Sequence, residues 1–375
     1  MPIRLLITAR DMAAALHLVE VARVAAADPR FEVVVAAQPP ALHRFEAGGR
    51  RVKVIEAPIA TTAGSVEADQ LRHTARALLA DVRPDAVLVG LSTPFDAGID
   101  EAVLAEAQVP SSLLQDFWGE QNLILGRGAD YILAIDEQAA ERNLARFGKP
   151  SIVVGSARHS AYAALDIGAC RARVRATAGF AASDLVVGFF GQALHAMPGY
   201  QRTLSRFIEC VGAIDDVRLV LRPHPREDAT QRRQTEQMFF NAGLAATDVG
   251  AGPVEEALAA CDVVVSLFSI CTFDAAYLNR FAPAPVAVPM SLLFDEEIAA
   301  YCRQHGNYFD FAHHTLGLVM PVYSAADLPA KLQLALQPES KRNAWERAHR
   351  HLPDPAAAPR LVLEHILTTA RQQDS

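Results

Sequence analysis

Arg222-Pro223-His224-Pro225 sets a forked cation and an imidazole among two prolines that keep the backbone out of a helix. A histidine held this way can donate a hydrogen bond to a phosphate or protonate one as it leaves. Arg222 adds charge in a geometry suited to phosphate. By itself the tetrapeptide fits a rigid turn with a surface histidine equally well. Two more segments bear on the choice. Ser266-Leu267-Phe268-Ser269-Ile270-Cys271-Thr272 runs into a helix-patterned stretch with Asp274 in its first turn. Hydroxyls and backbone N–H groups at a strand-to-helix turn favour an anion, because a helix N-terminus carries about half a positive charge. An ordinary Ser/Thr cap is the plainer account of them. Asp274 is placed either to complement the helix dipole or to hold a sugar or ribose hydroxyl. Gly188-Phe189-Phe190-Gly191-Gln192 ends another apolar run, where Gly191 permits close approach of backbone to a ligand and Gln192 offers a side-chain hydrogen bond. Neither GxGxxG nor a Walker A loop is present.

In the first half, Thr8-Ala9-Arg10-Asp11 follows the first apolar run. Asp11 is either a helix N-cap or a base for an acceptor hydroxyl, and Arg10 stands beside it. His17, six residues on, turns toward the other side of that helix and is set aside as a catalytic group. Gln115-Asp116-Phe117-Trp118-Gly119-Glu120-Gln121-Asn122 is dense in polar groups around one of two tryptophans. Asp116 ranks above Asp11 as the base. Trp118 and Glu120 suit a sugar acceptor, or else Trp118 packs under a helix. Asp136 and Glu137 read as caps, and Ser156-Ala157-Arg158-His159 closes the half with two further cationic candidates.

The elements that must position these residues repeat one theme. Apolar runs at 3–8, 31–36, 52–55, 86–90, 111–114, 131–135 and 152–155 alternate with helical stretches such as Met12 to Ala27 and Glu67 to Leu79. After a pause the alternation resumes with runs at 185–190, 217–221, 263–265 and 285–288, with helices Tyr200 to Gly212, Thr230 to Ala242, Val254 to Ala260 and Thr272 to Asn279 between them. Leu328 to Leu336 and Arg360 to Arg371 read as closing helices. Runs that are apolar at nearly every position are strands covered on both faces, hence parallel sheets between helix layers. The expectation is two Rossmann-like doubly wound α/β domains facing a cleft. One spans residues 1–160, the other 161–355, and a closing helix spans 356–375. In such sheets ligands sit beyond the carboxyl ends of the strands, where all the candidate residues lie.

Composition narrows the classes. Of 375 residues, 51% are hydrophobic and 21% charged, which opposes disorder. The formal charge of -8 offers nothing to nucleic acid, although peripheral membrane contact stays open. Cys170, Cys210, Cys261, Cys271 and Cys302 are scattered without CxxC pairs, which predicts free thiols in the cytoplasm. No metal-ligand cluster and no DxD motif stands out. No apolar run reaches ~18 residues, and no export signal is seen. The last point disfavours a two-lobed periplasmic binding protein.

A Gly-rich strand end, a strand ending in His-Pro and a Ser/Thr-rich turn together resemble the C-terminal half of GT-B glycosyltransferases. More narrowly they resemble the His-Pro families with cytidine-linked donors, bacterial sialyltransferase-like enzymes and CDP-glycerol glycerophosphotransferases. The resemblance implies that His224 contacts the donor phosphate and that Ser266, Ser269 or Thr272 helps hold it. A paired Ser-Ser or Ser-Thr is not met, since Leu267-Phe268 separates Ser266 from Ser269. The implied activity is metal- and cofactor-independent transfer of a sugar to an acceptor hydroxyl on a glycan, lipid-linked or protein partner. The donor would be CMP- or CDP-linked, with nonulosonic acids such as sialic or pseudaminic acid among the sugars that fit. Gly191, Gln192, Arg222, His224, Ser266, Ser269, Thr272 and Asp274 would hold the donor. Asp116, His224 and Asp11 would carry the chemistry, and Arg10, Trp118 and Glu120 would hold the acceptor. The alternatives are a CDP-glycerol-type polyol-phosphate transferase and a sugar-nucleotide epimerase or hydrolase of UDP-GlcNAc 2-epimerase-like architecture. The epimerase calls for more carboxylates and basic residues in the first-half loops than the sequence displays.

Overall fold

A computed structural model describes residues 1–49, 51–93, 95–224, 226–250, 252–304 and 312–372; Pro225 of the His-Pro segment lies outside the described residues. The chain divides into two compact units, one of Met1–Ala163 with Pro353–Ser375 and one of Ala164–Leu352.

The first unit runs β1 (Ile3–Ala9), α1 (Met12–Ala26), β2 (Phe31–Ala37), α2 (Ala41–Ala47), β3 (Val52–Val54), α3 (Val66–Val82), β4 (Ala86–Gly90), α4 (Ile99–Glu106), β5 (Ser111–Leu114), β6 (Tyr131–Ala134), α5 (Glu137–Phe147) and β7 (Ser151–Val153). Its seven strands are parallel in the order β3-β2-β1-β4-β5-β6-β7. Alternate residues of β1 serve opposite faces. Leu5 and Ile7 pack with Leu18 and Val21 of α1, while Leu6 packs with Leu71 of α3 and Val103 of α4. Both faces are therefore dry, which is why the strands read as unbroken apolar runs. Local chemistry sets the helix ends. Ser65 caps α3 by accepting Ala68 N–H, and Arg83 in the left-handed region ends it before Pro84. Asp136 caps α5 by accepting Ala139 N–H, as its position predicts.

The second unit runs α6 (Ile167–Thr177), β8 (Leu185–Phe190), α7 (Pro198–Gly212), β9 (Val217–Arg222), α8 (Ala229–Asn241), β10 (Ala246–Asp248), α9 (Val254–Ala260), β11 (Val263–Ser266), α10 (Cys271–Phe281), β12 (Val288–Leu292), α11 (Glu296–Gln304), α12 (Ala312–Thr315), β13 (Met320–Val322), α13 (Leu328–Ala335) and α14 (Pro338–His351). The order of its six parallel strands, β10-β9-β8-β11-β12-β13, repeats that of the first six strands of the other sheet. The last helix, α15 (Ala358–Gln372), belongs to the first unit, where Val362, Ile366 and Leu367 enter the core against α1.

Two Rossmann-like domains are thus present, as the alternation predicts. The strand expected at 285–288 instead begins at Val288, because the Asn279 amide takes the N–H groups of Val286 and Ala287. The short strands β10 and β13 and the helices α2 and α4 escape the periodicity, being three to eight residues long. In each sheet the strand order reverses at one place, between β1 and β4 and between β8 and β11. The crevice beyond the carboxyl ends there is where such sheets bind ligands.

Candidate functional site

At the reversal of the first sheet, Arg10 leaves β1 and is almost fully buried. Its guanidinium reaches Asp96 at 2.7 Å and Asp11 at 3.6 Å, while its backbone N–H donates to Asp100 Oδ2 at 3.0 Å. The other oxygen of Asp100 accepts Thr8 Oγ1–H at 2.5 Å. Gly98 makes the packing possible: a Cβ there would meet Arg10 Cδ at 2.4 Å. Glu101 accepts Ser92 Oγ–H and, at 2.8 Å, Gly98 N–H, which closes the N-terminus of α4. Asn122 fastens the loop by donating to the carbonyls of Thr93 and Asp96, both at 2.6 Å.

Burial pushes Asp100 well above the usual carboxylate range and Glu101 up to about 7. Asp116 follows β5, beside β4. Burial pushes its carboxyl up to about 7; the charge of Asp11 adds to this and that of Arg158 opposes it. An acid near neutrality can both take and return a proton at physiological pH. Asp11 occupies the N-cap position of α1 yet makes no side-chain cap; its carboxylate accepts Thr93 N–H at 3.1 Å.

The residues expected to hold an acceptor are differently employed. Trp118 is 2% exposed and its indole N–H donates to Asp136 at 2.7 Å, so its ring packs inside the unit and offers no sugar face. Glu120 is buried in an ion pair with Arg146 at 2.5 Å. His17 is buried against His159 with burial holding it well below its ordinary value, consistent with its exclusion from the chemistry. The sequence displays fewer carboxylates and basic residues in the first-half loops than an epimerase calls for; the fold adds carboxylates from outside the motifs. Asp96 in the β4–α4 loop and Asp100 and Glu101 in the first turn of α4 lie outside the sequence motifs and are brought to Arg10.

The reversal of the second sheet is built mostly from backbone amides, an amide side chain and hydroxyls. Gly191 follows β8 and donates its N–H to Arg222 O at 2.9 Å. Gln192 Oε1 accepts Phe268 N–H at 3.0 Å, tying the turn after β8 to the turn after β11. Ser266 is buried and its hydroxyl donates to Phe190 O at 2.6 Å, so it seams the two strands. Ser269 Oγ accepts Cys271 N–H at 3.3 Å, and Ser269 O accepts Thr272 Oγ1–H at 3.0 Å. Both residues thus shape the first turn of α10, in which Asp274 is wholly buried. The guanidinium of Arg222 donates to the carbonyls of Gly250 at 3.0 Å and Gly252 at 2.5 Å, so it braces a loop.

His224, two residues past β9, is half-buried, and burial lowers its pKa, with Arg226 adding to the effect. Its Nδ1 accepts Arg226 N–H at 3.1 Å, and its own N–H donates to Glu227 Oε1 at 2.8 Å. Glu227 carries no motif signal; an acid three residues after the histidine of a His-Pro is the one hint in the sequence. Among the described residues no group of His, Cys, Asp and Glu side chains is arranged to hold a metal ion, and no helix is long and apolar enough to cross a membrane.

No family model matches the chain, and no curated protein matches it in sequence. Solved structures do match in fold. The chain is similar to UDP-GlcNAc 2-epimerase from Neisseria meningitidis bound to UDP-GlcNAc, with TM-score 0.68, 14% identity and coverage of 97% of this chain and 100% of that one. The S. aureus MnaA–UDP structure gives TM-score 0.70 at 11% identity over 98% and 96% of the two chains. The glycotransferase of kitacinnamycin gives TM-score 0.61 at 11% identity over 97% and 99%. At these identities the likeness is one of fold. The nucleotide named in the first two is uridine, and none of these three names carries the cytidine donor that the His-Pro resemblance implies.

Proposed function

We propose that the protein is a sugar-nucleotide enzyme that epimerises or hydrolyses a UDP-linked sugar without a separate acceptor. The observation that carries this reading is the charge cluster at the first reversal. There Asp116, pushed up to about 7 by burial, feels the charge of Asp11, which with Asp96 pairs with Arg10, while Trp118 and Glu120 are turned to internal packing. Departure of a nucleoside diphosphate leaves a sugar carbon electron-poor. A base that removes the proton of the neighbouring carbon completes an elimination, and return of a proton to the opposite face of that carbon, with the nucleoside diphosphate oxygen bonding again to the first carbon, gives the epimer. Addition of water to the first carbon in place of the diphosphate gives free sugar and free nucleoside diphosphate, which is hydrolysis. Asp116 is the proton carrier in this account, and His224 and the N-terminal turn of α10 hold the diphosphate. The nucleotide sugar is a substrate, with no other cofactor expected.

The experiment is incubation of UDP-N-acetylglucosamine with the protein alone in D2O, followed by NMR. A new epimer carrying deuterium, or release of UDP with free sugar, is expected. An inert mixture that turns over only when an acceptor is added would restore the transferase. A parallel thermal-shift series with CMP, CDP, UDP, GDP and ADP tests the nucleotide, since a ligand of the native state raises its melting temperature. A CMP or CDP shift without a UDP shift would return the donor to cytidine.

A further inference from the structure

Behind the His224 turn lies a carboxylate that the proposed chemistry does not use. The Glu227 side chain is 1% exposed. Its Oε1 accepts His224 N–H at 2.8 Å, and its Oε2 faces His195 Nε2 at 4.0 Å. His195 Nε2 also lies 2.9 Å from Thr235 Oγ1. Gly191 leaves room for this carboxylate: a Cβ at that position would come within 2.7 Å of Glu227 Oε1. The turns after β8 and β9 are therefore registered against one buried side chain.

The ring of His224 is fixed at its other end. A backbone amide can only donate, so the Arg226 N–H on Nδ1 makes that nitrogen an acceptor. The proton of the neutral imidazole is then on Nε2. Burial keeps the ring neutral and pushes the Glu227 carboxyl up, which limits the negative charge set behind a bound anion.

We propose that Glu227 is a positioning residue that clamps the His224 turn, so that His224 meets a diphosphate as a neutral donor through Nε2–H. The inference rests on the UDP reading above for its ligand. Its geometry belongs to the protein alone, and the test keeps the two apart. The full chain is titrated calorimetrically with UDP as wild type, His224→Ala, Glu227→Ala and the double variant. Each single change is expected to weaken UDP about tenfold. The double variant should be no weaker than the weaker single, because residues acting as one unit are not additive. A double variant about a hundredfold weaker would overturn the clamp.

Glu227→Gln keeps an acceptor for His224 N–H and is expected to bind UDP within about threefold of wild type. A loss equal to that of Glu227→Ala would show that the ionised carboxylate, and not the clamp, is what matters. Histidine 15N NMR without ligand reads the tautomer directly. The wild type should show His224 as Nε2–H, and Glu227→Ala a mixture; an unchanged tautomer in that variant overturns the inference. If Glu227→Ala fails to fold, Gly191→Ala displaces the same carboxylate and takes its place in both measurements. Failure of the wild type to bind UDP would sink the UDP reading, and the NMR result would still decide the clamp.

Discussion

The two strand-order reversals are the same piece of topology furnished in opposite ways. Between β1 and β4 the chain assembles Arg10, Asp11, Asp96, Asp100 and Glu101, with Asp116 on the neighbouring strand end. Between β8 and β11 it assembles Gly191, Gln192, Ser266 and the first turn of α10, with His224 held neutral beside them. A parallel sheet supplies a crevice at each reversal but no chemistry of its own. Burial raises the pKa of the carboxylates at the first reversal and gives Asp116 the value of a proton carrier. Backbone amides, hydroxyls and a helix N-terminus suit an anion without the desolvation cost of buried cations.

The contrast can be broken from either side. The largest effect is expected from Asp116→Asn, which removes the proton carrier; turnover of UDP-N-acetylglucosamine should fall by about 10²–10⁴-fold while UDP affinity holds. Equal loss of affinity and turnover would place Asp116 in binding. Next, Arg10→Ala should destabilise the first unit by about 3–5 kcal/mol, read as a lowered urea midpoint, because it strands Asp96 and Asp11 beside Asp100. An unchanged midpoint would mean that the cluster is solvated and inert.

The pH dependence has a definite sign. A base with pKa about 7 works deprotonated, so kcat/KM should be level above that value and drop about tenfold per unit below it. The bend should vanish in a slow Asp116→Asn variant; a bend that survives belongs to another group. The smallest effect is reserved for Ser266→Ala. Loss of its bond to Phe190 O should cost about 1 kcal/mol in melting stability and leave UDP affinity within about twofold. A large affinity loss would make Ser266 a ligand contact instead of a seam.

The legibility of the chain follows the range of the interactions. Strands β1, β4, β8 and β11 are visible in the sequence because burial on both faces demands an apolar residue at nearly every position. The positions of Asp116 and His224 at strand mouths are visible for the same reason. The partners are not. Thr8 to Asp100 spans 92 residues and Ser266 to Phe190 spans 76, and no local spacing encodes either pair. Trp118 and Glu120 look like acceptor groups in a polar octet. Asp136 and Arg146, contributed by the cap and last turn of α5, draw both into internal bonds.

Periodicity and strand-end residue types alone determined the class of fold, two parallel sheets of the Rossmann kind, and which segments stand at their carboxyl ends. Those signals depend on burial and on neighbours a few residues apart, which a linear chain displays. Only the tertiary structure decided which acids share the Arg10 cluster, that Arg222 bonds the loop at Gly250 and Gly252, and that Ser266 bonds Phe190 O. It alone showed that Glu227 sits behind His224. The Arg10 cluster and the Ser266 seam depend on segments far apart in sequence meeting at a strand reversal, where a few ångströms settle whether a polar group faces a ligand or a neighbour.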